Sequence, residues 1–363
     1  MPIVRLDVER YGVPLKRPVS LPTSQEPQAA NRIDVVAVHL HTDKGPIGFG
    51  YTYGFGGGIV LESLLNETVG PAIVGLDPHR VESIFGAVQA RLEGVGFAGL
   101  AARAYAAIDL ALWDWKGKCA GLPLWAMLGG ARSAVKPISA DVATPALGLK
   151  ASARECLAAL DRGSAGIQIE VGTVDPDLDE ERLRQLREAI PDGAWFEVNA
   201  SGRYDFGTAA WLGSVGTEEF GLDGFADPLP LDDQNYRRLA DRLDVGLSAG
   251  ALADRPADLV ALLHRGGIES LRLDPFRLGG LTPLRKIAAA AELNHVAITT
   301  VRAPQVGVHL GVAYRLGRMC EHVDWFDELF TGNPVLEKGQ LKPSEAPGLG
   351  LAPNAEFAGR FRL

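Results

Sequence analysis

The chain has 363 residues, a 47% hydrophobic composition and a formal net charge of −9. Its length and composition allow a large buried core, and its negative charge argues against general binding of nucleic acids or anionic membranes. The 3 cysteines lie far apart, which excludes a disulfide framework and a clustered zinc site. The sequence shows no secretory segment or membrane span, so a cytoplasmic protein is expected.

The first part of the chain is rich in predicted strands. The segments "IVRLDVERYGVPL" and "IDVVAVHLHTDKGPIGFGYT" predict a hairpin or meander. A helix is predicted in "GLAARAYAAIDLALWDWKGKCAG", because Tyr105, Ile108, Leu112 and Trp115 fall on one helical face. Gly121 is expected to end this helix.

From about Val135 the sequence alternates between short apolar strands and helices. The predicted strands are "VKPISADVA", "GIQIEVG", "AWFEVNA", "GFADPL", "VGLSAG", "SLRLDPF" and "VAITTV". One strand and helix recur every roughly 25 residues, which is the spacing of a parallel α/β barrel. A doubly wound open sheet is the main alternative, but no dinucleotide-binding fingerprint follows any strand.

In such barrels the chemistry lies at the carboxyl ends of the strands. The segment "GIQIEVG" illustrates the expected geometry, because Gln168 and Glu170 alternate with apolar residues and share one face. That face is predicted to point into the barrel mouth. The candidate positions at the strand ends are Asp141, Gln168, Glu170, Glu197, Asn199, Asp227, Gly250, Ala251, Arg272, Asp274 and Thr300 to Arg302.

Three segments together resemble the mandelate racemase and muconate lactonizing branch of the enolase superfamily. They are "AIDLALWDWKGKCAGLPLWAMLGG", "GGLTPLRKIAAAAE" and "PGLGL". The resemblance implies an α+β capping domain over residues 1–130, a (β/α)7β barrel over 131–326, and a C-terminal segment over 327–363 that returns to the cap. It also implies a homo-oligomer, either a dimer or an octamer.

The resemblance further implies a Mg²⁺ ion that is held by three carboxylates and stabilises an enolate. In the family a Lys-x-Lys pair supplies the base, but Gln168 and Glu170 stand at those positions. Glu197 occupies the first metal-ligand position, and Asn199 follows it as in the family pattern.

The other two metal-ligand positions are Ala226 and Ala251. Asp227 lies next to the second of the three positions, and it could replace the missing ligand only if the strand end bulges or shifts. Asp274 matches the aspartate of a His–Asp pair, but the histidine position falls near Val301. Glu197 and Asp227 are thus the candidate metal ligands of a site with weak or absent Mg²⁺ binding.

Without a metal, Glu170, Glu197 and Asp274 are expected to share a pocket of low dielectric in which at least one pKa is raised. Glu170 and Asp274 would then form an acid–base pair, with Gln168 as a neutral hydrogen-bonding group. Two structural alternatives remain open. Glu170 and Arg272 could form an ion pair, and Asp274 could cap the connection that follows it.

Substrate-binding residues are predicted in the cap and around the barrel. The segment "GFGYTYGFGGG" is interpreted as a mobile aromatic lid with Tyr51, Tyr53 and Phe55. The remaining candidate substrate-binding residues are Asn199, Arg272 and Arg302.

Three functions are compatible with these residues. The first is an isomerase or lyase that acts on a small carboxylate by acid–base chemistry in an altered site. The second is a pseudoenzyme or binding protein with the same fold. The third is a metal-free, acid-catalysed isomerase or cyclase. All three have a small-molecule ligand, with neither nucleic acid nor membrane as a partner.

Overall fold

The computed structural model describes residues 1–21 and 28–363. Its N-terminal part is an antiparallel sheet in the order β1-β2-β3, followed by helices. The strands are β1 Ile3–Leu21, β2 Gln28–Thr42 and β3 Gly48–Gly54. The helices are α1 Gly58–Ser63, a π-helix Leu64–Val69, α2 Val81–Arg91, α3 Leu100–Ala120 and α4 Leu124–Met127.

Helix α3 packs closely on strand β3. Its many alanines favour a helix, and it ends where Gly121 adopts a left-handed φ of 66°. A Cβ at Gly50 would collide with the carbonyl oxygen of Ala107. Glycine at this position therefore allows the strand to approach the helix backbone. The predicted helix and its end at Gly121 are confirmed.

The central part of the chain is a closed barrel of parallel strands. The barrel strands are β4 Lys136–Ala143, β5 Gly166–Glu170, β6 Trp195–Asn199, β7 Gly224–Ala226, β8 Gly246–Ala249, β9 Ser270–Leu273, β10 Ala297–Thr300 and β11 Gly317–His322. The intervening helices are α5 Leu149–Asp161, α6 Pro176–Ala189, α7 Phe206–Phe220, α8 Tyr236–Ala240, α9 Pro256–Arg265, α10 Leu281–Leu293 and α11 Pro304–Ala313. Strand β11 pairs with β4 and closes the ring. This order confirms the predicted (β/α)7β barrel.

Both faces of the barrel strands are buried, but they differ in chemistry. In β5 the apolar Ile167 and Ile169 are fully buried on the face opposite Gln168. The apolar residues pack against the helices, whereas Gln168 points into the barrel. Alternation along each strand therefore gives the barrel an apolar outer layer and a polar centre.

The C-terminal segment returns to the N-terminal part. Its elements are β12 Phe330–Thr331, β13 Val335–Glu337, β14 Gln340–Lys342, β15 Ala352–Pro353 and α12 Ala355–Phe361. The amide of Leu349 donates a 2.8 Å hydrogen bond to Asp114 in α3, and the amide of Leu363 donates one of 2.9 Å to the carbonyl of Arg10. The predicted return of the tail to the cap is confirmed.

One feature differs from the sequence-based expectations. The segment interpreted as a mobile lid is mainly strand β3, in which Tyr51 and Tyr53 are 0% and 1% exposed. The lid interpretation is wrong for this segment, because β3 pairs with β2 and is covered by α3. The eighth barrel strand, β11, is the one that the (β/α)7β resemblance implies and that the apolar patterning does not indicate. Within the described residues, no helix is long and apolar enough to cross a membrane.

Candidate active site

The centre of the barrel holds a buried arginine surrounded by acidic side chains. Arg272 on β9 is 1% exposed, and its Nη1 lies 3.2 Å from Glu197 Oε1. Its Nε lies 2.9 Å from Asp227 Oδ2, and its Nη2 donates to Glu321 Oε1. Gln168 Nε2 donates to the same oxygens of Glu197 and Glu321, at 2.6 and 3.2 Å. These five residues are called the central cluster.

The strand geometry explains how the central cluster forms. Gln168 and Glu197 are register partners on the neighbouring strands β5 and β6, so their inward side chains meet. Asp227 follows the last residue of β7 and has a φ of 40°. This left-handed conformation turns its carboxylate towards Arg272, and the amide of Gly250 donates to its Oδ1 at 2.8 Å. The strand-end shift required for Asp227 to point inward is thus present.

The charges of the central cluster are unequal, since three carboxylates face one guanidinium. Burial raises the pKa of Glu197, although Arg272 and Gln168 act against this rise. Burial also raises the pKa of Asp227 against the effect of Arg272. With every carboxylate ionised, the buried cluster would carry excess negative charge, so burial favours protonation within it.

A cavity of about 160 Å³ lies above the central cluster, at the carboxyl ends of the strands. It is called the mouth cavity. Gln168 and Glu321 connect it with the central cluster, and Phe55 and Trp325 add apolar surface. Its charged and polar lining residues are Arg103, Asp141, Glu170, Asn199, Arg203, Arg277 and Arg302, together with Ser20 and Ser201. A larger open groove of about 390 Å³ lies near Gly246, at the amino end of β8, away from the end where barrels carry their chemistry.

The arginines of the mouth cavity differ in their partners. Arg203 pairs with Glu170 at 2.8 Å, and Arg277 pairs with Asp254 at 2.8 Å. The guanidinium of Arg302 makes no ion pair with a carboxylate of the described residues, and its backbone amide donates to Glu321 Oε2 at 3.0 Å. Burial lowers the pKa of Arg302, but the opposing effects of the nearby phenol and carboxyl groups are larger and raise it. This guanidinium is a permanent positive charge on the cavity wall.

Arg103 is the second cationic side chain of the cavity without a carboxylate partner in the described ranges. Its guanidinium lies over the ring of Tyr53, 5.2 Å from the centroid, and donates to the carbonyl of Tyr53 at 3.4 Å. Arg103 and Arg302 therefore leave two positive charges available to an anion in the cavity.

Asp141 is the carboxyl group best placed for proton transfer near neutral pH. It lies near the carboxyl end of β4 and lines the mouth cavity. Burial, followed by the charges of Glu170 and Glu321, raises its pKa to about 7, against the effects of Arg302 and Arg17. A carboxyl group with this pKa can act as either acid or base at neutral pH.

Backbone strain is concentrated around the barrel mouth. The φ angles are 59° at Asp141, 50° at Ser201, 40° at Asp227 and 63° at Arg302. Left-handed conformations of residues other than glycine cost of order 1–3 kcal/mol and cluster at functional sites. The chain therefore holds four side chains in place around this end of the barrel at an energetic cost.

The candidate residues that the sequence predicts fall into three groups in the structure. Gln168, Glu170, Asn199, Arg302 and Phe55 line the mouth cavity. Glu197, Asp227 and Arg272 belong to the central cluster. Tyr51, Tyr53 and Asp274 do not line the cavity.

The third group has structural contacts. The rings of Tyr51 and Tyr53 lie 5.0 and 5.1 Å from the ring of Phe276 in a buried aromatic cluster. Asp274 Oδ1 accepts hydrogen bonds from the amides of Phe276 and Arg277, at 2.8 and 3.3 Å. Asp274 thus caps the turn after β9, as the structural alternative from the sequence describes. Asp274 and Glu170 are not paired, because this turn holds Asp274 and Arg203 holds Glu170.

Four charged residues of the site are not among the candidates from the sequence: Arg103, Arg203, Arg277 and Glu321. Arg103 and Arg203 lie on α3 and in the loop after β6, where no motif marks them. Asp141 is a candidate at a strand end, but the sequence assigns it no role. Glu321 lies on β11, and the strand count of a (β/α)7β barrel is the signal that could have located it.

Family comparison agrees with the fold. Residues 8–129 match the mandelate racemase / muconate lactonizing enzyme N-terminal domain, and residues 151–357 match the enolase C-terminal domain-like family. The chain belongs to the mandelate racemase/muconate lactonizing branch of the enolase superfamily.

Curated relatives in this branch include sugar-acid enzymes. The L-talarate/galactarate dehydratase of Salmonella typhimurium is 29% identical over 345 residues, which cover 93% of this chain and 86% of that protein. The 3,6-anhydro-alpha-L-galactonate cycloisomerase of Streptomyces coelicolor is 27% identical over 367 residues, covering 99% of both chains. The crystal structure of the Salmonella dehydratase liganded with Mg and L-lyxarohydroxamate superimposes with a TM-score of 0.92 at 27% identity, covering 100% of this chain and 93% of that one.

The fold family implies a Mg²⁺ ion, but the residues of the barrel centre do not fit one. The guanidinium of Arg272 lies among the carboxylates of Glu197, Asp227 and Glu321. It therefore fills the space between the oxygens that a metal ion would need. Over residues 1–21 and 28–363, no group of three or more His, Cys, Asp or Glu side chains is arranged to hold a metal ion.

Proposed function

We propose that the protein is a metal-independent acid–base enzyme, an isomerase or lyase, that acts on a small carboxylate in the mouth cavity. One observation carries the proposal: a guanidinium without a carboxylate partner in the described chain, Arg302, faces the same cavity as Asp141, whose pKa is about 7. An anion-binding group beside a group that titrates near neutral pH is the arrangement that acid–base catalysis requires.

The cavity residues divide into binding and proton-transfer roles. Arg302 would bind the substrate carboxylate in a bidentate manner, and Arg103 would add positive charge. Asp141 would donate or accept the proton. Asn199 and Gln168 would form neutral hydrogen bonds with substrate hydroxyl groups. Both amides are already oriented, since Asn199 Nδ2 donates to Gln168 Oε1 at 3.1 Å.

Cavity size and the known relatives support a small hydroxylated acid as substrate. The cavity of about 160 Å³ is smaller than the roughly 300–1,000 Å³ typical of pockets for drug-sized ligands. The Salmonella and Streptomyces relatives are named for reactions of sugar acids. A sugar acid combines the carboxylate that Arg302 suits with the hydroxyl groups that the amides suit.

A binding protein without turnover is the second candidate. It is favoured by the ion pair between Glu170 and Arg203, which engages one of the two acids of the predicted catalytic pair. The third candidate, an acid-catalysed isomerase or cyclase that works through an aromatic pocket, has less support, because Tyr51 and Tyr53 are buried away from the cavity.

The test is a screen of galactarate, L-talarate, arabinonate and mannonate for binding by thermal shift and for turnover by NMR in deuterated buffer. Each assay is run with EDTA and with Mg²⁺, on the parent, on Asp141→Asn and on the exposed control Asp192→Asn. We expect turnover in EDTA that falls by about 10²- to 10⁴-fold in Asp141→Asn and is unchanged in the control. Saturable binding without turnover would instead identify a binding protein, and turnover that requires Mg²⁺ would contradict the proposal.

A further inference from the structure

The central cluster brings together acidic side chains from separate strands of the barrel. Glu197 lies on β6, Asp227 follows β7, and Glu321 lies on β11. One oxygen of each contacts Arg272 on β9. The guanidinium is therefore the common partner of three carboxylates that are far apart in the sequence.

The second oxygen of each carboxylate is oriented by a different neighbour. Asp227 Oδ1 accepts from the amide of Gly250 at 2.8 Å, and Glu321 Oε2 accepts from the amide of Arg302 at 3.0 Å. Glu197 Oε2 accepts from the indole Nε1 of Trp195 at 3.4 Å. The orientation of the carboxylates therefore does not depend on Arg272 alone.

One oxygen that faces Arg272 is incompletely satisfied. Asp227 Oδ2 is buried and accepts no hydrogen bond from the described residues, although Arg272 Nε lies 2.9 Å away. The contact is electrostatic without hydrogen-bond alignment. An oxygen in this state suits a spherical cation better than a directional donor, because a cation attracts from any angle.

We propose that the guanidinium of Arg272 is a built-in cation in place of a metal ion, and that Glu197, Asp227 and Glu321 form a latent divalent-cation site that opens when the guanidinium is removed. The ligands are carboxylate oxygens, which Mg²⁺ and Mn²⁺ prefer. Truncation of Arg272 would leave room for the ion and its water molecules. This inference does not depend on turnover in the mouth cavity.

The experiment compares the full-length parent with Arg272→Ala, Arg272→Gln and Arg272→Lys. Each is titrated with Mn²⁺ and Mg²⁺ after EDTA treatment, and melting temperature and Mn²⁺ electron paramagnetic resonance are recorded. We expect the parent and Arg272→Lys to show no metal response, because each retains a cation. The Ala and Gln variants should bind one Mn²⁺ per chain and show a saturable rise in melting temperature of several degrees. The double variant Arg272→Ala/Glu197→Gln should lose most of this rise.

Poor folding of the neutral variants does not prevent the test. If they unfold in EDTA, the proposal requires recovery of folded protein when they are refolded from urea with Mn²⁺. Folded Ala and Gln variants without a metal response at millimolar Mn²⁺ would overturn it. Neutral variants that stay unfolded at every Mn²⁺ concentration would also overturn it. Mn²⁺ binding by the parent protein that is abolished by Glu197→Gln would overturn it as well.

Discussion

Arg272 and Arg302 lie on successive barrel strands or just after them, and both contact Glu321, yet their surroundings differ. Arg272 has three carboxylate partners and is 1% exposed. Arg302 contacts Glu321 through its backbone amide, and its guanidinium faces the mouth cavity without a carboxylate partner in the described chain. A buried cation needs protein partners to be stable, whereas a cation on a cavity wall can take its partner from a ligand. The same residue type is thus held by protein carboxylates in one position and, in the proposed function, would take a ligand as its partner in the other.

The largest expected effect tests the structural role of Arg272. Replacement by methionine would leave Glu197, Asp227 and Glu321 buried without their cation. We expect the free energy of unfolding to fall by about 3–5 kcal/mol, measured by urea denaturation at neutral pH. The control Arg302→Met should change it by less than about 1 kcal/mol, because its guanidinium makes no ion pair with the described residues. Equal losses in the two variants would remove the distinction between the two arginines.

The second prediction concerns the recognition role of Arg302. Arg302→Ala should weaken binding of the best sugar acid by about 10- to 100-fold, the equivalent of roughly 1.5–3 kcal/mol for a charge-assisted hydrogen bond. Isothermal titration calorimetry measures this change. Arg302→Lys is the matched control, and it should recover only part of the affinity because it lacks the planar fork. Unchanged affinity in Arg302→Ala would place the anion elsewhere.

The third prediction follows from the pKa of Asp141. Its pKa is about 7 in the folded protein and 3.8 in its ordinary state, so the folded protein binds the proton more tightly. Asp141 therefore contributes stability that is fully present below about pH 4 and is lost as the pH rises through 7. The melting temperature of Asp141→Asn should depend less on pH over this range.

A second buried acid provides the control for this measurement. Burial also raises the pKa of Asp109 to about 7, but its Oδ2 accepts from the amide of Thr282, away from the cavity. In Asp109→Asn, Asp141 still titrates, so a bound sugar acid should change how the melting temperature depends on pH. In Asp141→Asn, only Asp109 of the two acids still titrates, so a sugar acid should leave this pH dependence unchanged. Equal ligand effects in the two variants would place Asp141 outside the binding site.

The smallest expected effect concerns Asn199, which connects the cavity wall with the central cluster. Its Nδ2 donates to Gln168 Oε1 at 3.1 Å, and its Oδ1 accepts from the amide of Ser201 at 2.9 Å. Asn199→Ala should cost about 0.5–1.5 kcal/mol of stability, measured by urea denaturation. If Asn199→Ala lost as much stability as Arg272→Met, the mouth cavity and the central cluster would not be energetically separate.

The fold could be predicted from the sequence because its signals are local. Alternation of apolar and polar residues over each strand, and the regular spacing of strands and helices, were enough to indicate the barrel. The same alternation placed Gln168, Glu170 and Asn199 at the mouth. The domain boundaries near residues 130 and 326, the oligomeric state and the cytoplasmic location remain predictions.

The pairing of charges could not be predicted, because it depends on distances between strands that are far apart in the sequence. The sequence suggests an ion pair between Glu170 and Arg272, but Glu170 pairs with Arg203. The inward turn of Asp227 depends on its own left-handed backbone conformation, which no sequence pattern predicts. The glycines around Tyr51 and Tyr53 suggest a lid, yet two of them, Gly48 and Gly50, allow β3 to lie against α3.

The position of Arg272 has a consequence for how the barrel acquires its central charge. A guanidinium on β9 is supplied by translation and arrives with the polypeptide, so no loading step follows folding. It cannot dissociate, and it stays protonated at any physiological pH. Neither a chelator nor a shortage of ions in the growth medium can remove it. The central charge of this barrel is encoded in the sequence and is present in every folded molecule.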